Sequence, residues 1–221
     1  KKNLKKVNVI EPHQDVSEWP KQISEYIGFL KFTNTKEDYL KTSQYKKRDK
    51  FLLSKKKYNN DLEYLKTIKL KINVNDLNNS NIDRAVQLTQ KTNQFNFTTK
   101  RYDHKTIKEF TKNKKNSFLV NIKDIYGDHG LVALVLLKEL NNYLVIDTFL
   151  LSCRILGRYI ENWILGYIQK SAIKRKLNGT IIQFNKTEKN IPAMNFLSTI
   201  KIDKYSKKLD SESLYKILNI K

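Results

Sequence analysis

The sequence predicts an α/β (α+β) domain with a mixed, mainly antiparallel sheet, preceded by a helical N-terminal extension. Three observations carry that prediction. Residues 118 to 151 hold three runs of strand-forming residues separated by "YGDHG" and "ELNN", whose turn chemistry folds the runs back on one another. The middle run, "LVALVLL" at 131 to 137, is apolar on both faces, as a central strand covered by helices must be. Ile160, Trp163, Ile164, Tyr167, Ile168 and Ala172 then keep the spacing of a buried helical stripe and supply such a cover.

Residues 1 to 65 read as a helical linker or extension, and 66 to 221 as the main domain. In the first part, "SEWPKQISEYIGFL" and "TKEDYLKTSQYKKRDKFLLSKKK" have helical apolar spacing, and each has a Ser or Thr positioned to cap its first turn. The second has its carboxylates early and its lysines late, as the helix dipole prefers. In the main domain "TIKLKINV" alternates as a strand, and "NIDRAVQLTQKTNQF" places Ile82, Ala85, Val86 and Leu88 or Thr89 on one side of a short helix. Strands follow at 118 to 125, 130 to 138 and 143 to 151, then the long helix. "NGTIIQFN" is a strand after a Gly turn, "NIPAMNFL" a short helix with Pro near its start, and "TIKIDKY" and "SLYKILNI" are two final strands.

A length of 221 residues with 39% hydrophobic content suits one principal domain and an appendage. The longest apolar run falls far short of the roughly 20 residues that span a bilayer. The opening "KKNLKKVNVI" has no signal-peptide pattern and no initiating methionine, which fits a piece of a longer protein. A single cysteine, Cys153, leaves no internal disulfide and no multi-cysteine zinc site. With only His13, His104 and His129 beside it, no metal is expected, and a reducing cytoplasm is the expected compartment.

The formal charge of +21 raises a nucleic-acid hypothesis. Its distribution weakens that hypothesis: from 130 to 165, Lys138, Arg154 and Arg158 are balanced by Glu139, Asp147 and Glu161. The excess lies in scattered lysines such as Lys46, Lys47, Lys56, Lys114 and Lys115, on what read as solvated faces, and no nucleic-acid-binding motif accompanies them. Two readings of the excess stay open: compositional bias with solubility, or a preference for acidic partners.

The stretch "DTFLLSCRILGRYIENWIL" at 147 to 165 joins a strand end to a helix start at "CRILG". Backbone N–H groups and the helix dipole make such a turn an anion site, to which Arg154 and Arg158 add bidentate donors. A plain strand-to-helix turn is the alternative. The Arg-x-x-Gly-x spacing resembles the acyl-CoA pyrophosphate loop of GNAT acyltransferases, and the element order is similar too.

A wider resemblance rests on "LTQKTNQFNFTTKRY", "YGDHGLVALVLL", "DTFLLSCRILGRYIE" and "TEKNIPAMNFL", which together look like the C-terminal region of FkbH-like proteins. The lead-in "NVIEPHQDVSEWPKQI" resembles that family's linker, so the likeness runs through essentially the whole chain in order. Such proteins join an N-terminal HAD-superfamily phosphatase-type domain to a C-terminal GNAT-like domain. They load a glyceryl unit from a bisphosphoglycerate onto the phosphopantetheine thiol of an acyl carrier protein, for polyketide extender units. The resemblance therefore implies a GNAT-like acyltransferase domain, phosphopantetheine or CoA as cofactor, an acyl carrier protein as partner, and an upstream HAD-type domain. Two departures stand out. No catalytic Asp-x-Asp strand lies within residues 1 to 221, so no phosphatase activity is expected of them, and Tyr159 replaces the second glycine of the loop pattern.

The candidate catalytic residues are Cys153, Asp147 and His129. Cys153, at a strand end before a helix N-terminus and next to Arg154, sits where a thiolate is stabilised and could carry an acyl group; simple packing is the alternative. Asp147 interrupts an apolar strand and is either a general base or an acceptor for neighbouring backbone and the Thr98 and Thr99 hydroxyls. His129, on a turn, faces either the acyl site or solvent. Arg154, Gly157, Arg158 and Asn190 are the candidate cofactor contacts, Asn190 otherwise being a helix cap. Asn93, Gln94 and Asn96 are amides able to surround a hydroxyacyl group, or to cap their own loop. Three functions follow: acyl transfer on a phosphopantetheine thioester, acetyl-CoA-dependent N-acetylation of a small amine, and non-catalytic docking of a carrier protein.

Overall fold

The computed structural model describes residues 10–26, 36–200, 203–204 and 213–218. Two compact units divide at Thr42 and Ser43. In the first, a 3-10 turn at Val16–Glu18 leads into α1 (Trp19–Glu25), with Pro20 in its first turn. The cap here is Asp15, whose carboxylate accepts from the Ser17 N–H at 2.9 Å, not Ser17 itself. Residues 27–30 of the first expected helix lie outside the described residues.

Helix α2 (Lys36–Lys55) runs across the division, and its second half belongs to the unit that carries the sheet. That unit starts at Ser43, earlier than the change of composition at 66 suggests, because Phe51 packs with Tyr64 of α3 (Asp61–Thr67), Ile68 and Tyr126. Asn60 caps α3 through the Leu62 N–H, and Lys69, at φ 50°, turns the chain into β1 (Lys71–Asp76). The alternating pattern placed this strand a few residues early because α3 takes up Thr67.

Helices α4 (Ile82–Lys91) and α5 (His104–Thr111) follow; the sequence pattern singled out only the first. Strands β2 (Ser117–Asp124), β3 (Gly127–Leu140) and β4 (Tyr143–Leu151) form the expected antiparallel meander. Asn141 and Asn142 both adopt positive φ, 49° and 62°, the conformation a two-residue hairpin needs and asparagine tolerates. After α6 (Ile160–Lys174) come β5 (Gly179–Phe184), α7 (Ile191–Thr199), β6 (Asp203–Lys204) and β7 (Ser213–Leu218). The sheet order is β1-β2-β3-β4-β5-β7-β6, antiparallel except between β4 and β5. This is the expected α/β class with a mixed, mainly antiparallel sheet.

The two-faced run in β3 has the role its composition demands. Val132, Val135 and Leu137 join one core with Ile160, Ile164 and Ile168 of α6 and Phe196 of α7. Leu134 and Leu136 face the other way, onto Ala85 and Leu88 of α4 and Ile107 of α5. Among the described residues, no helix is long and apolar enough to cross a membrane.

Candidate functional site

The cleft beside β4 is where the sheet opens. Parallel pairing with β5 covers only Leu144 to Ile146 against Thr180 to Ile182. Beyond Ile146 the two strands part. On its other side β4 carries a bulge at the same place: Leu137 faces Ile146 and Leu136 faces Thr148, so Asp147 has no opposite residue. The edge of β4 past the bulge would present unpaired backbone groups, at a cost, if nothing met them.

The chain meets them itself. The loop after α4 enters the opening as a short antiparallel insert, with Asn96 bridging to Leu150. Phe97 N–H donates to the Phe149 carbonyl at 3.1 Å, and Leu151 N–H donates to the Phe95 carbonyl at 2.9 Å. On the far side Asn185 N–H donates to the Phe97 carbonyl at 2.8 Å, tying the insert to the end of β5. Phe95 and Phe97 are buried among Phe149, Phe184 and Phe196, with ring centroids 4.9 to 6.3 Å apart.

The amides of this region serve the insert. Asn96 is fully buried; its Nδ2 donates to the Thr92 carbonyl and its Oδ1 accepts from Thr99 N–H. Asn93 Oδ1 accepts from Arg101, and Gln94 is exposed, its carbonyl accepting from Ala193 N–H. Asn190 is turned into the protein. It is buried, donates to the carbonyls of Asn96 and Asn185 at 3.0 and 2.8 Å, and accepts from Thr187 N–H and hydroxyl, which uses its whole hydrogen-bonding capacity.

Asp147 is buried at the mouth of the cleft. Its carboxylate accepts from Tyr102 hydroxyl at 2.6 Å, Lys138 at 2.8 Å, Thr148 hydroxyl at 3.1 Å and Lys100 at 3.2 Å. Thr98 hydroxyl donates to its backbone carbonyl. Burial alone would push this carboxyl up; the bonds from Lys138 and Tyr102 and the two lysine charges outweigh that and hold it below the usual carboxylate range. Such a group is an ionised acceptor, poorly matched to proton abstraction near neutral pH.

His129 does not face solvent. It is buried, with Nε2 2.9 Å from Asp124 Oδ1. Arg158 is also turned inward, contrary to its expected role as a phosphate donor: its Nε donates to Asp124 Oδ2 at 3.0 Å, and its guanidinium carbon lies 3.7 Å from the Phe51 ring centroid. With 1% exposure it is the largest fully buried side chain among the described residues. Burial pushes the Asp124 carboxyl up, but His129, the Arg158 charge and the Tyr126 N–H together bring it below its ordinary value.

At the turn, Ser152 is followed by a 3-10 turn at Cys153–Ile155 that holds Cys153 half-buried. Arg154 Nη2 donates to the His129 carbonyl at 2.9 Å. Gly157 has φ 88°, and a Cβ there would meet Phe51 at an ordinary 3.8 Å, so conformation rather than space calls for glycine. Tyr159, where the loop pattern has a second glycine, takes a left-handed conformation as the cap of α6 and gives its hydroxyl to Asp61. Glu161 lies in the first turn of α6, and burial pushes its carboxyl up. Among the described residues, no cluster of ligating side chains could hold a metal ion.

Sequence reasoning missed Asp124, Lys100, Lys138 and Tyr102. Asp124 reads as a turn residue at a strand end, and its partners lie 5 and 34 residues away with no periodicity to link them. Lys138 at the close of an apolar run was the one visible signal.

No family model matches the sequence, and no curated protein matches it either. Solved structures do. A domain from Methanocaldococcus jannaschii superposes with a TM-score of 0.53 at 13% identity, covering 68% of this chain and 99% of that one. A GNAT-family acetyltransferase from Staphylococcus aureus gives 0.51 at 16%, covering 68% and 100%. The GNAT domain of S. lividans PAT gives 0.51 at 13%, covering 66% and 89%. These likenesses establish the fold, and the chain has a GNAT fold.

Proposed function

We propose that this chain is a GNAT-fold docking module for an acyl carrier protein and does not itself use acetyl-CoA. The observation that carries this reading is the insert at Phe95 to Phe97. An extended arm lying between β4 and β5 would need the same backbone groups of Phe149 and Leu151 that the insert occupies. To admit it, three backbone bonds must break and two phenylalanines must leave the core. Losing one buried phenylalanine costs about 3–5 kcal/mol, while each new hydrogen bond returns about 0.5–1.5 kcal/mol. The inward turn of Arg158 further weakens the helix end as a pyrophosphate site. The basic surface, by contrast, suits an acidic carrier.

Calorimetric titration tests the reading. Acetyl-CoA and CoA should show no saturable heat up to about 1 mM, while a phosphopantetheinylated acyl carrier protein should bind with salt-sensitive affinity. Saturable binding of acetyl-CoA overturns it and favours the N-acetyltransferase reading.

A second reading has one observation in its favour, the half-buried Cys153 directly after β4 and beside Arg154. Here the chain transfers a glyceryl or related acyl group. The arm's thiol attacks an acyl thioester on Cys153, a new C–S bond forms, the old one breaks, and the arm's proton ends on the Cys153 sulfur. Cys153→Ala should abolish turnover in the full-length protein supplied with acyl donor and carrier, and tandem mass spectrometry should find the acyl adduct on the wild-type peptide. Normal turnover without an adduct removes this reading.

A further inference from the structure

The sheet-bearing unit exposes an apolar groove that neither core absorbs. The second half of α2 has two stripes. Phe51 points inward, whereas Tyr45, Leu52 and Leu53 point outward, Leu53 with 63% of its surface exposed. Tyr58 and Leu62, on and just after the link to α3, are exposed as well. Leu52, Leu53 and Tyr58 line an open groove of about 730 Å³, together with Asp49, Lys55, Lys56 and Asp61. An outward leucine pair on a helix rich in lysine is costly to leave wet, and clustered apolar exposure of this kind marks contact surfaces.

We propose that this groove docks an acidic amphipathic helix of a partner protein. Charge chooses the occupant. Between Ser43 and Lys66 cations outnumber carboxylates eight to three. Of the carboxylates at the groove, Asp61 is already engaged by Lys55 at 2.6 Å and by the Tyr159 hydroxyl. Lys55 and Lys56 line the groove, and Lys46, Lys50 and Lys57 are exposed on the same segment. A helix with leucine-type anchors along one stripe and glutamates on its flanks fills the floor and meets the rim. A nucleic-acid backbone would satisfy the lysines but leave Leu52 and Leu53 without a partner.

The groove also lies next to the turn after β4. Lys55 Nζ is 4.0 Å from where a Gly157 Cβ would stand, and Tyr159 of that turn reaches Asp61 of the groove. A partner seated here has its bound surface beside Ser152 to Gly157. This rests on the docking function proposed above and names the surface that performs it.

The test uses the full chain and a labelled synthetic helical peptide of about 18 residues, with leucines at i, i+3, i+4 and i+7 and glutamates elsewhere. A second peptide carries lysine in place of every glutamate. Fluorescence anisotropy should show salt-sensitive binding of the acidic peptide and none of the basic one. Leu53→Glu, and separately Lys56→Glu with Lys57→Glu, should each weaken binding by about tenfold or more, whereas Lys174→Glu at the far end of α6 should change it by less than about twofold. Thermal melts matching the wild type exclude unfolding as the cause. Equal loss with Lys174→Glu means diffuse charge attraction and overturns the proposal, as does binding that survives Leu53→Glu. An oligonucleotide that displaces the peptide and is itself released by Lys56→Glu but not by Leu53→Glu assigns the surface to nucleic acid instead. A dimer in sedimentation that Leu53→Glu dissociates assigns the groove to a second copy. The peptide has no phosphopantetheine, so its failure leaves the acetyl-CoA titration untouched, and saturable acetyl-CoA binding leaves the groove result untouched.

Discussion

Asp124 and Asp147 are both buried carboxylates on one sheet, both held below the ordinary carboxylate range, and both paired with basic side chains. They differ in where those side chains lead. The partners of Asp124, His129 and Arg158, are themselves buried, and Arg158 ends against the Phe51 ring. The partners of Asp147 run outward: the Lys138 side chain is 56% exposed and that of Lys100 31%. Asp124 is thus the centre of a closed ion cluster that fastens α2 and the start of α6 to the β2–β3 turn. Asp147 is the inner end of a charged patch that reaches solvent where β4 and β5 part. Burial of a charge alone does not mark a site; burial of its partner tells a fastener from a surface that can meet another molecule.

The sharpest way to break this comparison is Asp124→Ala. It leaves the Arg158 guanidinium buried without its counter-charge, and removing one member of a buried pair costs about 3–5 kcal/mol. The urea midpoint should fall accordingly, with the salt dependence of stability unchanged because the cluster is closed to counterions. A loss under about 1 kcal/mol would mean that Arg158 finds another acceptor and that the cluster is no fastener.

The same contrast explains what could be read in the chain and what could not. The β2–β3–β4 meander and the Asn-Asn hairpin are local patterns, in which period and turn chemistry act over a few residues, and each appears where the sequence placed it; of the expected α6 stripe, Ile160, Ile164, Ile168 and Ala172 are buried, whereas Trp163 and Tyr167 stay exposed. The insert is different. "NQFNFTT" has no strand period, and its backbone partners lie about 50 residues away on β4, so its polar residues looked like a substrate-facing loop. Arg158 misled for a related reason. A cation at a helix start suggests a phosphate, and only tertiary packing shows that Phe51, from a helix about 100 residues earlier, draws it inward. Asn190 was read at the correct helix start, but its partners on the insert were invisible. Asp147 was legible because a carboxylate in an apolar strand has to be compensated, although nothing local identified Lys100 or Tyr102 as the compensation.

Asp147→Asn sharpens the comparison from the other side, with a smaller effect. The amide keeps an acceptor for the Tyr102 hydroxyl but loses the charge, and hydrogen bonds to a charged group are worth about 1.5–3 kcal/mol. Part of that is recovered, since Lys138 and Lys100 are exposed enough to be rehydrated. The expected loss is therefore about 1–2 kcal/mol near neutral pH. Its pH dependence has a definite sign. Because the folded-state pKa of Asp147 lies below the unfolded value of about 3.9, the carboxylate's contribution is fully present above that value and is lost as pH falls through the folded pKa. Stability of Asp147→Asn should approach that of the wild type in acid. Added salt should also narrow the gap, since the lysine ends of the patch are open to counterions. A gap that persists at acid pH and in high salt would show that Asp147 fastens the fold as Asp124 does, and the distinction between the two would fail.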